Sequence, residues 1–125
     1  MLTGAVDTIL SILTWSCVCL LAVLSLLPAQ EMVRAGIPGE FEHFAAYAGS
    51  TSIAAAAYGR SCNVMGIIGL FWGYAGLLEY LQQFSPGRHP AFTDFAASAA
   101  GALSGGLAIG LLMYRLSKGM PSDSA

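Results

Sequence analysis

Residues 8–27 run for twenty positions without a charged side chain and stop at Pro28. A helix rises about 1.5 Å per residue, so a segment of this length reaches about 30 Å, the thickness of a bilayer's hydrocarbon core. Helices satisfy their own backbone hydrogen bonds, as hydrocarbon demands. The remaining 105 of the 125 residues cannot offset this segment with a conventional water-facing surface, because only 10% of the chain is charged and 56% is hydrophobic. A soluble domain carries about 25% charged residues. The mean hydropathy of +0.68 agrees. The chain therefore reads as an all-α integral membrane protein of one domain, residues 1–125.

Residues 1–7 contain no Lys or Arg, and Leu-Leu-Pro-Ala-Gln follows the apolar run. That pattern lacks the basic start and small-residue cleavage site of a signal peptide, so residues 8–27 are expected to stay as a span. Three further spans follow. Residues 41–59 are less apolar and carry Glu42 and His43 in the first turn. Residues 64–84 carry Glu79, Gln82 and Gln83 near the end, and residues 92–114 form the last span. Residues 28–40, 60–63 and 85–91 are connectors, and residues 115–125 a polar tail expected to fray. Short connectors make neighbours antiparallel. The expected architecture is a membrane-spanning four-helix up-down bundle with both termini on one side.

The terminal side carries Arg60, Arg115 and Lys118, and the opposite side Arg34 and Arg88. The excess of Lys and Arg on cytoplasmic loops puts the termini in the cytoplasm and residues 28–40 and 85–91 outside. Glycines recur four apart as Gly69 and Gly73, Gly101 and Gly105, and Gly106 and Gly110. Small residues at this spacing let membrane helices approach closely, either inside one bundle or between chains.

Topology gathers the ionisable groups of the spans at the outer end. Glu42, His43 and Tyr47 begin the second span, Glu79 and Gln82 end the third, Arg88 lies in the turn, and Asp94 and Ser98 begin the fourth. Ionisable groups at membrane depth cost several kcal/mol unless paired or hydrated, so they are functional candidates by default. His43 and Tyr47 share a helix face, as do Asp94 and Ser98. The planar guanidinium of Arg88 can fork between carboxylates, and Glu79 or Asp94 is its expected partner. The candidate binding cluster is thus His43, Tyr47, Glu79, Gln82, Arg88, Asp94 and Ser98. Paired charges at a helix–turn–helix join also serve to fix helix ends and register.

Other functions lack support in the pattern. A net charge of −2 and the absence of a basic run leave nothing for nucleic acid to bind. Cys17, Cys19 and Cys62 match neither a disulfide framework nor a zinc pattern, and they read as small apolar residues. His43 is the only histidine inside a span and no tight metal motif surrounds it, so no cofactor or metal is expected. Ser85 and Ser98 have no base partner identifiable in the sequence. A His43–Glu79 acid–base pair could serve hydrolysis of a headgroup. A proton relay would need polar residues through the middle of the bundle.

Glu79, Gln82, Phe84, Pro86, Gly87 and Arg88 form Glu-x-x-Gln-x-Phe-x-Pro-Gly-Arg, followed by Asp94 and Gly101; upstream, His43, Phe44 and Tyr47 form His-Phe-x-x-Tyr. In this order, between these spans, the motifs resemble the signature of VanZ-like membrane proteins, from about residue 27 to residue 110. Two positions depart from it: Gly39 and Glu40 stand where the family often has Asp-Lys, and Ser98 where it often has Asn. Losing the Lys puts in doubt any role for it with an anion. The resemblance implies a multi-pass protein of the bacterial inner membrane and a link to low-level lipoglycopeptide (teicoplanin) resistance. The leading expectation is a non-enzymatic protein whose polar outer end binds a membrane lipid, as a lipid-linked or anionic envelope molecule. The alternatives are an accessory subunit of a larger membrane protein complex, and a membrane hydrolase of a headgroup or polyprenyl phosphate.

Overall fold

The computed structural model describes residues 2–28, 36 and 38–119, and these form four helices. Helix α1 is Leu2–Leu26, α2 is Gly39–Tyr58, α3 is Val64–Leu81, continued by a short 3-10 turn at Gln82–Phe84, and α4 is Phe92–Gly119. Glu31 and Arg34 of the first connector, and residues 120–125, lie outside the described residues. The segments Gly4–Leu26, Val64–Phe84 and Phe92–Gly119 are each long and apolar enough to cross a membrane. The molecule is a multi-pass, all-α helical bundle.

Local chemistry explains the helices. In α1 the hydroxyls of Thr8, Thr14 and Ser16 donate to the carbonyls of Gly4, Leu10 and Ile12, one turn back. This satisfies polar side chains without breaking an apolar helix. The helix starts at Leu2, six residues before the span read from sequence, because Asp7 stays on the exposed surface and does not interrupt it. Glu40 and Glu42 occupy the first turn of α2, where carboxylates suit the partial positive charge. The Asn63 side chain accepts from the Met65 amide at 3.0 Å and caps α3. Helix α4 runs five residues past position 114, so residues 115–119 are helical rather than a frayed tail. The reason is again charge at a favourable place: Lys118 sits in the last turn, 5.1 Å above the Tyr114 ring.

The join between α3 and α4 is tight. The Arg88 amide donates to the Ser85 carbonyl at 3.1 Å, Pro86 and Gly87 lie between them, and Gly87 has φ of 74°. Pro followed by a residue of positive φ is the pattern of a type II turn. Gly87→Ala is expected to destabilise the protein by about 1–2 kcal/mol, the penalty of a left-handed conformation for an L-residue. Thermal unfolding in detergent measures it.

The tightest contact in the bundle joins α2 and α4, which run parallel, as diagonal helices of an up-down bundle do. A Cβ at Gly101 would overlap the Phe44 carbonyl, and one at Gly105 would overlap the Ala48 carbonyl and stand 2.6 Å from Ser52 Oγ. Gly106 lies against Ile68 and Thr51, and Gly110 against Val64. Gly101 and Gly105 are therefore what lets two backbones meet. Gly69 and Gly73 are different: nothing stands within 4 Å of a Cβ built on either. The buried face of α3 is Ile67, Ile68, Phe71, Ala75 and Leu78. Positions 69 and 73 lie two residues on from 67 and 71, about 200° around the helix. They point away from the bundle and do not pack within the chain.

Helix α2 touches all three others, and its inward residues are Tyr47, Ser50, Thr51, Ala54 and Ala55. Its inward face is thus mostly small and hydroxylic, which contributes to its low hydropathy. Tyr47 meets Phe71 edge-on with centroids 6.4 Å apart. Polar tips of aromatic side chains fasten the outer helices: Trp72 Nε1 donates to the Ala99 carbonyl at 2.9 Å, and Trp15 Nε1 to the Tyr58 hydroxyl at 3.0 Å.

Candidate functional site

The amino ends of α2 and α4 meet the carboxyl end of α3 and the 85–91 turn at one end of the bundle. Parallel α2 and α4 place His43 beside Asp94 and Ser98, which follow each other by one helical turn on α4 and flank the imidazole. His43 Nδ1 lies 3.2 Å from Ser98 Oγ, and Nε2 lies 3.8 Å from Asp94 Oδ2. The second distance brings charge close without a direct hydrogen bond. The ring is thus held on two sides. His43 and Asp94 remain 21% and 25% exposed, whereas Ser98 is 2% exposed.

Glu79 accepts from the Ala91 amide at 2.7 Å. That amide sits just before α4, among N–H groups that have no partner within the helix. The carboxylate thereby ties the end of α3 to the start of α4 through a charge-assisted hydrogen bond. Arg88 takes a different place from the one expected. Its Nη2 donates to the Ser25 carbonyl at 3.0 Å, and Ser85 Oγ donates to the Leu26 carbonyl at 2.8 Å. Those carbonyls belong to the last turn of α1, whose carbonyls have no partner within the helix. Their need for donors brings the turn onto α1, while the expected carboxylate partners face Ala91 and His43.

Tyr47 lies one turn below His43 and is buried against Phe71. Gln82 is 2% exposed, and its Nε2 has no hydrogen-bond partner among the described residues. The structure therefore brings His43, Asp94 and Ser98 into one contact cluster, places Glu79 and Arg88 on backbone groups beside it, and puts Tyr47 and Gln82 beneath. Sequence reasoning missed Ala91, Ser25 and Leu26, because backbone donors and acceptors carry no residue signature. It also missed that Ser98 has a base beside it. The signal for that pair was available: His43 and Ser98 each lie one to two turns inside helices that start at the same end.

Ser, His and Asp in contact are the residue types of a hydrolytic triad. Here the serine lies on the face of α4 packed against α2, almost without exposure, and its own helix uses the neighbouring amides in intrahelical bonds. A scissile group has neither a path to Oγ nor adjacent oxyanion donors. The arrangement is suited to orienting the imidazole and presenting its exposed edge with Asp94. Among the described residues no group of three or more His, Cys, Asp or Glu side chains is placed to hold a metal ion. No family model, curated protein or solved structure matches this chain.

Proposed function

We propose that the protein is a VanZ-like protein of the bacterial inner membrane, with cytoplasmic termini, whose outward polar end binds a lipid-linked envelope molecule without turning it over. The observation that carries this reading is the partly exposed pair of His43 and Asp94, set beside a buried Ser98. The motif spacing supports it. Gly101 lets Phe44 approach α4, and that approach brings His43 to Asp94. Among the described residues this end carries Glu40, Glu42, Glu79 and Asp94 against Arg88, with His43 and His89 besides. This balance favours a headgroup that offers hydrogen-bond donors over a free anion. The unpartnered Gln82 amide supports a polar occupant, because buried polar groups are paired in the great majority of structures.

Complementation of a deletion strain tests the proposal, with lipoglycopeptide sensitivity as the readout. His43→Gln and Asp94→Asn are expected to accumulate in the membrane like the wild type yet fail to restore its phenotype. Full restoration by both would end the binding reading. Arg88→Ala is less informative, because it also removes a donor from the end of α1.

A second reading, an accessory subunit, draws on the bare surface of α3 around Gly69 and Gly73, flanked by exposed Leu70, Trp72 and Leu77. Purification in gentle detergent decides it: a stoichiometric partner supports docking, and a lone monomer counts against it.

A further inference from the structure

A second feature of the polar end is a cleft of about 450 Å³ between the end of α3 and the start of α4. Gly76, Glu79, Tyr80, Gln83, Phe92 and Phe95 line it. Its size lies in the range of small-ligand sites. Glu79 is the carboxylate in the lining, which it shares with three aromatic residues, Tyr80, Phe92 and Phe95. Gly76 makes the room: a Cβ there would already touch Phe95 at 3.5 Å, so a larger side chain would fill the cleft. Tyr80 and Phe92 are 62% and 81% exposed at its rim.

Aromatic residues gather at membrane interfaces for their amphipathic rings alone. A carboxylate among them needs more. An ionised group in such surroundings is costly unless paired. Ring faces carry negative potential and attract a cation, and they offer nothing to an anion. An ionised carboxylate accepts about four hydrogen bonds, of which the Ala91 amide supplies one. Acceptor capacity and ring faces together select a positively charged nitrogen. With the polar end at the membrane surface, as proposed above, a lipid headgroup is the abundant source of such a nitrogen and a soluble amine is dilute.

We propose that this cleft binds the ammonium group of a membrane lipid, with Glu79 as its counter-ion and Tyr80, Phe92 and Phe95 as the surrounding rings. The proposal rests on the reading that the polar end binds lipid, and it names the headgroup class. Phosphatidylethanolamine fits best, since its N–H groups can donate to Glu79.

The test is native mass spectrometry of the purified full chain given equimolar phosphatidylethanolamine and phosphatidylglycerol. The wild type is expected to retain phosphatidylethanolamine over phosphatidylglycerol by about fivefold or more, the scale of a partly desolvated cation site. Glu79→Gln keeps an acceptor for the Ala91 amide and is expected to bring the ratio close to one. Gly76→Leu is expected to lower phosphatidylethanolamine retention while a thermal melt shows the fold intact. Equal retention of both lipids by the wild type, or an unchanged ratio in Glu79→Gln, overturns the assignment. If both lipids bind equally and His43→Gln with Asp94→Asn removes them, the polar end still binds lipid and only the ammonium site falls. If neither lipid is retained, the ammonium site falls, and the adduct carried from native membranes decides the reading on which it rests. Binding of free phosphoethanolamine with the same dependence on Glu79 would overturn the lipid as source.

Discussion

Gly105→Leu is expected to prevent α2 and α4 from docking and to abolish the folded bundle. Gly105 sits where its backbone meets the Ala48 carbonyl, with Ser52 Oγ beside it. Overpacking a core typically costs about 1–3 kcal/mol when flexible side chains can give way. At Gly105 the obstacle is backbone, so even alanine is expected near the upper end of that range, and leucine beyond it. In a lipid environment little offsets the loss, because membrane helices associate through close packing and hydrogen bonds rather than burial from water. The contrast is Gly69 and Gly73, which face open space. Alanine at either is expected to be neutral or to stabilise by up to about 1 kcal/mol through helix propensity. Detergent-titrated unfolding of the three alanine variants and Gly105→Leu separates the two classes of glycine.

The second large effect is expected at His43. Removing its ring in His43→Ala leaves the Ser98 hydroxyl buried and without the partner described here. An orphaned buried hydroxyl costs about 1–3 kcal/mol. It also deprives Asp94 of its imidazole neighbour. Ser98→Ala alone removes the hydroxyl with the need for it, so its cost is expected to be smaller. The double variant His43→Ala, Ser98→Ala should recover part of the loss, with a coupling of about 0.5–3 kcal/mol for groups in contact. An additive double variant would mean that the two side chains do not interact. Binding responds differently from stability: His43→Ala is expected to lose function, and Ser98→Ala to keep most of it.

The four helices were legible because apolar runs and polar connectors differ sharply in this chain. Their ends were not, since a charged residue on an exposed helix surface stops nothing, as Asp7 and Arg115 show. The low hydropathy of residues 41–59 belongs to a helix that contacts all three others and turns Ser50, Thr51, Ala54 and Ala55 inward. Glycine spacing pointed to close packing at three pairs, inside the bundle or between chains; within the chain it is met at Gly101 and Gly105 and not at Gly69 and Gly73, because a four-residue repeat does not say which side of a helix it occupies. The convergence of His43, Asp94 and Ser98 followed from topology and spacing. The partner of Arg88 did not, since the carbonyls of α1 that attract it are the same atoms in every residue.

The central claim is that the end bearing His43 and Asp94 is a lipid-binding site and more than a set of helix clamps. The most direct measurement compares lipid retained by the wild type and by the double variant His43→Gln, Asp94→Asn, after extraction from native membranes and native mass spectrometry. The account predicts a defined lipid adduct on the wild type and its loss from a double variant that melts within a few degrees of the wild type. An adduct of the same mass and occupancy on both proteins would contradict it.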